Sequence, residues 1–312
     1  MSQSTATLLM VRPASFRMNE QTAVNNYYQK VIDGLSEEKV NSLARKEFDA
    51  FVEKLRSKGV QVIVIDDEIE PNTPDAVFPN NWISFHEDGR IGLYPMFAPN
   101  RRAERREDIF DRLTNEAGME IDEIIDFTEF EEHDKFLEGT GSMVLDRENK
   151  IAYAALSVRT DEKALEHFCE EFGYRACIFH ANQTKDSKRV PIYHTNVMMA
   201  IGSNLAIVCA DCVDDKKERE NLIATISQTQ KEIIYISEDQ VNRFAGNMLE
   251  VKNEEGSCFL VMSASAFESL NPEQIESIEK HCPIIHSSLD TIEACGGGSA
   301  RCMMAEVFLP KI

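Results

Sequence analysis

Apolar and polar positions alternate in short runs along this chain, and the runs recur. Five segments set a small or polar residue just ahead of an apolar strand. They are Pro79-Asn80-Asn81-Trp82-Ile83, Gly139-Thr140-Gly141-Ser142-Met143-Val144, Tyr193-His194-Thr195-Asn196-Val197-Met198, Ala245-Gly246-Asn247-Met248-Leu249 and Ala300-Arg301-Cys302-Met303-Met304. With Asn81, Ser142, Asn196, Asn247 and Cys302 taken as equivalent, the successive spacings are 61, 54, 51 and 55 residues. A steady period in this range marks a repeat architecture.

Four of the segments run on through a turn into a second strand. The turns are Glu87-Asp88-Gly89, Asp146-Arg147-Glu148-Asn149, Gly202-Ser203-Asn204 and Asn253-Glu254-Glu255-Gly256, all of hairpin composition. A charged helical stretch follows, as at Arg101 to Leu113, Asp161 to Phe172 and Lys216 to Ser227. In the second of these, Ala164, Leu165, Phe168, Cys169 and Phe172 form one apolar helix face. A third strand closes each unit: Ile121 to Ile125, Ala176 to Phe179, Ile233 to Ile236 and Pro283 to Ile285. The N-terminal helix Glu37 to Lys58 and strand Val60 to Ile65 supply what the fifth unit lacks. The pattern therefore predicts an α/β fold of five ββαβ repeats in one domain spanning 1–312. A cyclic array closed by its own termini leaves no unpaired end. The expected shape is a five-bladed α/β propeller about a pseudo-fivefold axis, with the equivalent strand starts meeting at that axis.

Composition narrows the function classes. The 312 residues suffice for a sizeable core, and 43% are hydrophobic. The formal charge of −21 argues against a nucleic-acid partner, because phosphate backbones need a basic surface. Residues 1–10 lack a basic n-region, and the apolar run Leu8-Leu9-Met10-Val11 is too short for a signal core or membrane span. Eight cysteines at irregular spacing then suit a reducing, cytoplasmic setting. Cys209-Ala210-Asp211-Cys212 has the C-x-x-C form but no second pair near it, so no metal is expected.

Converging strand starts would bring together Asp75, Asn80, Asn81, Glu138, His194, Asn196 and Cys302. Cys302 follows the glycine-rich run Cys295-Gly296-Gly297-Gly298-Ser299. Backbone N–H groups beside a sulfur, with room for a ligand, suit a nucleophilic thiolate. The competing reading is a buried cysteine opening the last strand. A nucleophilic cysteine needs a proton carrier, and His194 titrates in the useful range. Glu138 could orient the imidazole. Cys295 is read as a loop residue rather than a resolving thiol, Asn19 as a residue reaching toward the substrate, and 180–189 as a polar lid loop.

These pieces resemble the guanidine-modifying, or amidinotransferase, superfamily with the pentein fold. The likeness runs from Leu8-Leu9-Met10-Val11-Arg12-Pro13 to the C-terminus. The family's cysteine ends a Gly-rich segment like Gly296 to Cys302. Its histidine opens a segment like His194-Thr195-Asn196, and its acid lies in one like Leu137-Glu138-Gly139. The resemblance implies Cys302 as nucleophile, His194 as acid/base and Glu138 as its orienting carboxylate. Ala98-Pro99-Asn100-Arg101-Arg102 and Leu156-Ser157-Val158-Arg159-Thr160 resemble dimethylargininase segments, which implies that Arg101 and Arg159 hold the substrate α-carboxylate.

The chain departs from the family where a guanidinium is gripped. Asn81 and Asn196 stand where carboxylates are expected. An amide cannot neutralise a buried cation, whereas its NH₂ and C=O match a neutral ureido group. The expectation is hydrolysis of citrulline to ornithine, ammonia and carbon dioxide, without cofactor or metal. Asp75, Asn80, Asn81 and Asn196 are the expected substrate-binding residues, and Asp75 keeps guanidino substrates open. The alternatives are arginine deiminase, dimethylargininase or amidinotransferase activity, and, in another class, a non-catalytic pentein that binds a partner. The expected partner is a small-molecule amino acid, and a homodimer stays open.

Overall fold

The computed structural model describes residues 2–311. β1 (Thr7–Arg12) runs parallel to β2 (Gln61–Asp66), and the helix Glu37–Ser57 connects them. Ser36 caps that helix by accepting from Lys39 N–H, and Glu37 and Glu38 sit favourably in its first turn. Its buried stripe of Val40, Ala44, Phe48, Phe51, Val52 and Leu55 packs onto the sheet.

The next units repeat one plan. β3 (Ile83–Phe85) pairs antiparallel with β4 (Arg90–Leu93), which runs parallel to β5 (Glu123–Asp126). β6 (Met143–Asp146), β7 (Ile151–Ala155) and β8 (Arg175–Phe179) follow the same pattern. A two-stranded hairpin intervenes, β9 (Asn182–Lys185) with β10 (Lys188–Pro191). Then come β11 (Met199–Ile201), β12 (Leu205–Val208) and β13 (Glu232–Tyr235), followed by β14 (Leu249–Lys252), β15 (Cys258–Ser263) and β16 (Ile284–Ser287). β17 (Ala305–Val307) returns antiparallel to β1, Thr7 facing Val307, which gives the first sheet the order of the others. The result is a mixed α/β fold of three-stranded sheets sharing one topology.

The buried apolar clusters lie between sheets. One joins the β1 sheet to β14–β16, another joins it to β3–β5, a third joins Tyr94 and Phe127 to the β6–β8 sheet, and the largest spans β6–β8, β11–β13 and β15. No described helix is long and apolar enough to cross a membrane. The eight cysteines are unpaired.

Several local expectations change. The stretch Arg101 to Leu113 is not one helix but the short helices Pro99–Arg102 and Asp108–Asp111 and a π turn, Arg112–Glu116. Its arginines anchor to groups off the helix: Arg101 to Asn81, Arg105 to Glu131 and Arg106 to the Asp66 carbonyl. The 180–189 stretch is not an open loop; most of it forms the β9–β10 hairpin, with Asp186 and Ser187 at positive φ in the turn. Cys295 lies in the helix Asp290–Gly296 rather than a loop. Residues expected to open strands sit instead in the 3-10 turns Pro79–Asn81, Thr195–Val197 and Ala300–Met303, and in the helical turn Gly139–Ser142.

Candidate active site

These turns pack against one another, and close backbone approach makes that possible. A Cβ on Gly141 would meet Asn81 Nδ2 at 2.5 Å and His194 Nδ1 at 2.7 Å. A Cβ on Gly246 would meet the Val197 carbonyl oxygen at 2.3 Å. The glycine-rich run before Cys302 is held from the other side. Gln29 Nε2 donates to the Gly296 carbonyl at 2.9 Å, Asn26 Nδ2 to the Gly297 carbonyl at 3.2 Å, and the Tyr193 hydroxyl to the same carbonyl at 2.5 Å.

A narrow cleft with about 250 Å³ of empty space opens here. Asp75, Asn81, Arg101, Arg159, His194 and Cys302 all line it. A larger cavity beside it, with about 1300 Å³ of empty space, is lined by Arg17, Asn19, Val31, Asn72 and Cys295 among others, and holds none of these groups. The chemistry therefore points to the smaller cleft. The segment carrying Thr22, Asn26 and Gln29 forms one of its walls. Cys295 faces the larger cavity, not Cys302's cleft.

His194 Nε2 lies 2.7 Å from Glu138 Oε2, and Arg159 Nη1 reaches the same oxygen at 3.4 Å. Glu138 Oε1 accepts from the Phe97 N–H at 3.0 Å. Glu138 is buried behind the cleft wall. Burial works to lift its carboxyl pKa, but Arg159, the His194 hydrogen bond and Arg101 together hold it well below the usual range. Burial pushes His194 down to about 4 against the upward pull of Glu138. The imidazole is thus neutral at pH 7, with Nε2–H on the carboxylate and Nδ1 left as acceptor on the Gly141 side.

Asp75 Oδ2 accepts from Asn19 Nδ2 at 2.8 Å and the Thr22 hydroxyl at 3.0 Å, while its Oδ1 is buried without a partner among the described residues. Asn19 thus reaches Asp75 rather than the cleft.

The arginines are already engaged. Arg101 makes a fork to Glu104, Nε to Oε1 and Nη2 to Oε2, both at 2.9 Å, and donates from Nη1 to Asn81 Oδ1 at 2.8 Å. The bidentate edge expected to meet a substrate carboxylate therefore holds Glu104. Burial lifts Glu104 to about 7 against Arg101's opposing pull. Arg159 bonds Asn25 and the Thr22 carbonyl and lies against the rings of Tyr193 and Phe97.

Three expected substrate ligands sit differently. Asn80 donates to the Thr140 hydroxyl at 3.2 Å, away from the cleft lining. Asn81 lines the cleft, but its Nδ2 donates to Asn80 Oδ1. Asn196 also lies off the lining, and its Nδ2 donates to the Thr140 carbonyl at 3.2 Å and to Cys302 Sγ at 3.5 Å. The residues missed are Thr22, Asn25, Asn26 and Gln29 on the wall segment, and Asn247, whose Nδ2 lies 3.2 Å from Cys302 Sγ. The repeat spacing had marked Asn247. Nothing local marked the wall segment.

Among the described residues, no three His, Cys, Asp or Glu side chains gather as a metal site.

Fold and cleft together define a pentein-type α/β protein. Residues 12–309 match the family described as "N,N dimethylarginine dimethylhydrolase, eukaryotic". The chain belongs to this family, whose members are hydrolases acting on C–N bonds other than peptide bonds. No curated protein matches it. Among solved structures, ArgZ, an arginine dihydrolase from the ornithine-ammonia cycle in cyanobacteria, aligns at TM-score 0.72 and 16% identity. The alignment covers 98% of this chain and 41% of ArgZ. The substrate-bound N-terminal domain of ArgZ, as a cysteine-to-serine mutant, aligns at 0.70 and 16% identity, over 96% of this chain and 97% of that domain. A histidine-to-glycine variant of a dimethylarginine dimethylaminohydrolase, as its adduct with S-methyl-L-thiocitrulline, aligns at 0.62 and 14% identity, over 96% and 98%. The chain thus spans about 41% of full-length ArgZ.

Proposed function

We propose that the protein is a cysteine hydrolase of arginine-like amino acids and that its substrate is citrulline, converted to ornithine, ammonia and carbon dioxide. The observation that carries this is the charge balance of the cleft. Among the described residues Asp75 is the one carboxylate on its lining, and Arg101 Nε already lies 3.9 Å from it. Of the two positions where further acids would stand, Asn81 is an amide on the lining and Asn196 an amide off it. A guanidinium entering here would find Asp75 alone as a counter-charge, and that carboxylate already lies beside the Arg101 guanidinium. A neutral ureido group needs no counter-charge, and its N–H matches the unpartnered Asp75 Oδ1.

The residues then act as follows. The Cys302 thiol gives its proton to His194 Nδ1, and Sγ bonds to the ureido carbon as the C=O pair moves to oxygen. The tetrahedral species collapses, breaking the bond to the terminal nitrogen. That nitrogen takes the proton from His194 and leaves as ammonia. Water next loses a proton to His194 and adds to the thioester-like carbon. The C–S bond breaks, the thiolate returns, and the released carbamate loses carbon dioxide to give ornithine. Glu138 holds the imidazole tautomer and steadies the transient imidazolium. Arg159, at the wall segment, is the proposed partner of the substrate α-carboxylate, with Asn25 and Thr22 yielding to it. Arg101 sets Asn81 and Asp75 in place.

The free Asp75 Oδ1 also supports a second reading, in which arginine is the substrate. One assay separates them. Purified protein is offered citrulline, arginine, dimethylarginine and N-succinylarginine, and ornithine, citrulline and ammonia are quantified. Ornithine and ammonia from citrulline are expected. Arginine consumed while citrulline stays untouched would overturn the ureido reading. Cys302→Ala is expected to abolish turnover.

We infer as well that the sheets ring a pseudo-fivefold axis as one domain spanning 1–312. The way each apolar cluster joins neighbouring sheets supports this. Eight unpaired cysteines support a reducing, cytoplasmic setting.

A further inference from the structure

Asn247 is fully buried just ahead of β14, at the repeat position shared with Cys302. Its amide is fixed at both ends. Oδ1 accepts from the Arg301 N–H at 3.0 Å. Nδ2 donates to the Asn196 carbonyl at 3.0 Å and to Cys302 Sγ at 3.2 Å. Asn196 Nδ2 reaches the same sulfur at 3.5 Å while it donates to the Thr140 carbonyl. Two side-chain amides therefore meet on one sulfur: Asn247 is fixed by the Arg301 N–H with its NH₂ toward it, while Asn196 offers its NH₂ and also Oδ1, which accepts from the thiol at 3.8 Å.

The neighbouring glycine makes this approach possible. Gly246 lies against the Val197 carbonyl and the Met198 backbone, where a Cβ would sit 2.3 and 2.7 Å from them. The Asn247 turn is thus pressed onto the Asn196 turn. The Arg301 N–H bound by Asn247 belongs to the residue just before Cys302, so one side chain holds both the sulfur and the backbone that carries it.

We propose that Asn247, with Asn196, forms an amide cradle that holds the Cys302 sulfur in its nucleophilic position and stabilises the thiolate, making Asn247 a positioning residue of the reaction. N–H donors to an anionic sulfur stabilise it without adding charge. A carboxylate at either position would repel the thiolate. This supplies a physical reason for an amide at Asn196 that does not depend on the substrate's charge. The cradle also explains why Asn196 is off the cleft lining: its amide is spent on the sulfur. The inference rests on Cys302 being the nucleophile, and not on which substrate it attacks.

The test uses Asn247→Asp, which can still accept from Arg301 N–H but loses the donor, and Asn247→Ala, which loses both. Melting curves identify the folded variants, and Asn247→Leu, which has a similar size and no donor, replaces any that fails to fold. Alkylation of Cys302 by iodoacetamide is followed by peptide mass spectrometry across pH, alongside kcat and KM. In the variants the pH of half-maximal alkylation rises, kcat falls roughly tenfold to hundredfold, and KM stays within about twofold of wild type. An alkylation profile superimposed on that of wild type, while Cys302→Ala abolishes turnover, overturns the cradle and leaves the nucleophile assignment standing. Full turnover by Cys302→Ala overturns that assignment and the cradle with it.

Discussion

His194 and Glu138 are both buried, and the pair owes its protonation state to a contest between burial and charge. For His194 burial wins, and its imidazolium is pushed down to about 4. An unfolded histidine titrates near 6.5. A folded value below the unfolded one means that the neutral imidazole contributes stability fully above pH 6.5, and that this is lost as pH falls toward and through 4. NMR of histidine-labelled protein should show the His194 ring titrating with a midpoint near 4; a midpoint near 6.5 would refute the burial argument. Glu138→Gln should cut kcat roughly 100-fold or more, since the imidazole loses the carboxylate that holds it. It should also lower stability by about 3 kcal/mol, because Arg159 is left buried without its anion. Calorimetry and turnover check both. At this scale the proposed reacting groups could be picked out from the sequence, as Cys302, His194 and Glu138 are the residue types the chemistry needs and stand at a repeat position, two residues before one and four residues before one; the structure brings His194 onto Glu138 and puts His194 and Cys302 on one cleft. The amides were less so. A side chain's direction in a 3-10 turn does not follow the two-residue alternation of a strand, so Asn196 could not be seen to face the sulfur, nor Asn81 to face Arg101.

The elements that carry these residues are short turns wedged together, and their glycines set how closely. Gly141 bears most directly on the proposed acid/base, because a methyl there would land 2.5 Å from Asn81 Nδ2 and 2.7 Å from His194 Nδ1. Such contacts force one or both side chains to move. Gly141→Ala should therefore abolish most turnover, with a stability loss of about 1–3 kcal/mol from overpacking. Near-normal kcat in a folded Gly141→Ala protein would show that the imidazole does not work from this position. Helices and hairpins were the legible part at this scale. Asp161 and Asp215 cap the helices Glu162–Phe172 and Lys216–Gln228, within one residue of the positions the apolar spacing marked. The stretch after Arg101 was misjudged for a physical reason. A run of charges usually means a solvated helix face, but Arg101 and Glu104 go inward as a buried pair, which no local pattern announces.

At the scale of the whole molecule, the pairing of β17 with β1 joins the two ends of the chain in a single sheet, with β2 parallel on the other side of β1. The spacing of five segments made this closure legible, since the last unit lacked strands that the N-terminus could supply. In the proposed ring, chain connectivity at that seam is not what holds the molecule together. The pairing of Leu9 with Ala305 and the apolar packing of Leu9, Val11, Ala305 and Val307 do so. A circular permutant follows from this. Joining residue 312 to residue 2 through a short glycine-rich linker and opening the chain between Glu254 and Glu255 cuts the β14–β15 hairpin at an exposed turn, where no buried side chain is disturbed. The two new ends remain held by the pairing from Leu249↔Val261 to Lys252↔Cys258. The permutant should fold, melt in one transition and keep kcat within about threefold of wild type, because the cleft-lining residues keep their contacts. Deleting residues 305–312 should instead remove β17, the strand paired with β1, and its share of the apolar packing around it, abolishing the cooperative transition. A permutant that fails to fold, or a truncated chain that melts like the full one, would mean that the seam is a peripheral contact and that the ring is not the unit of folding.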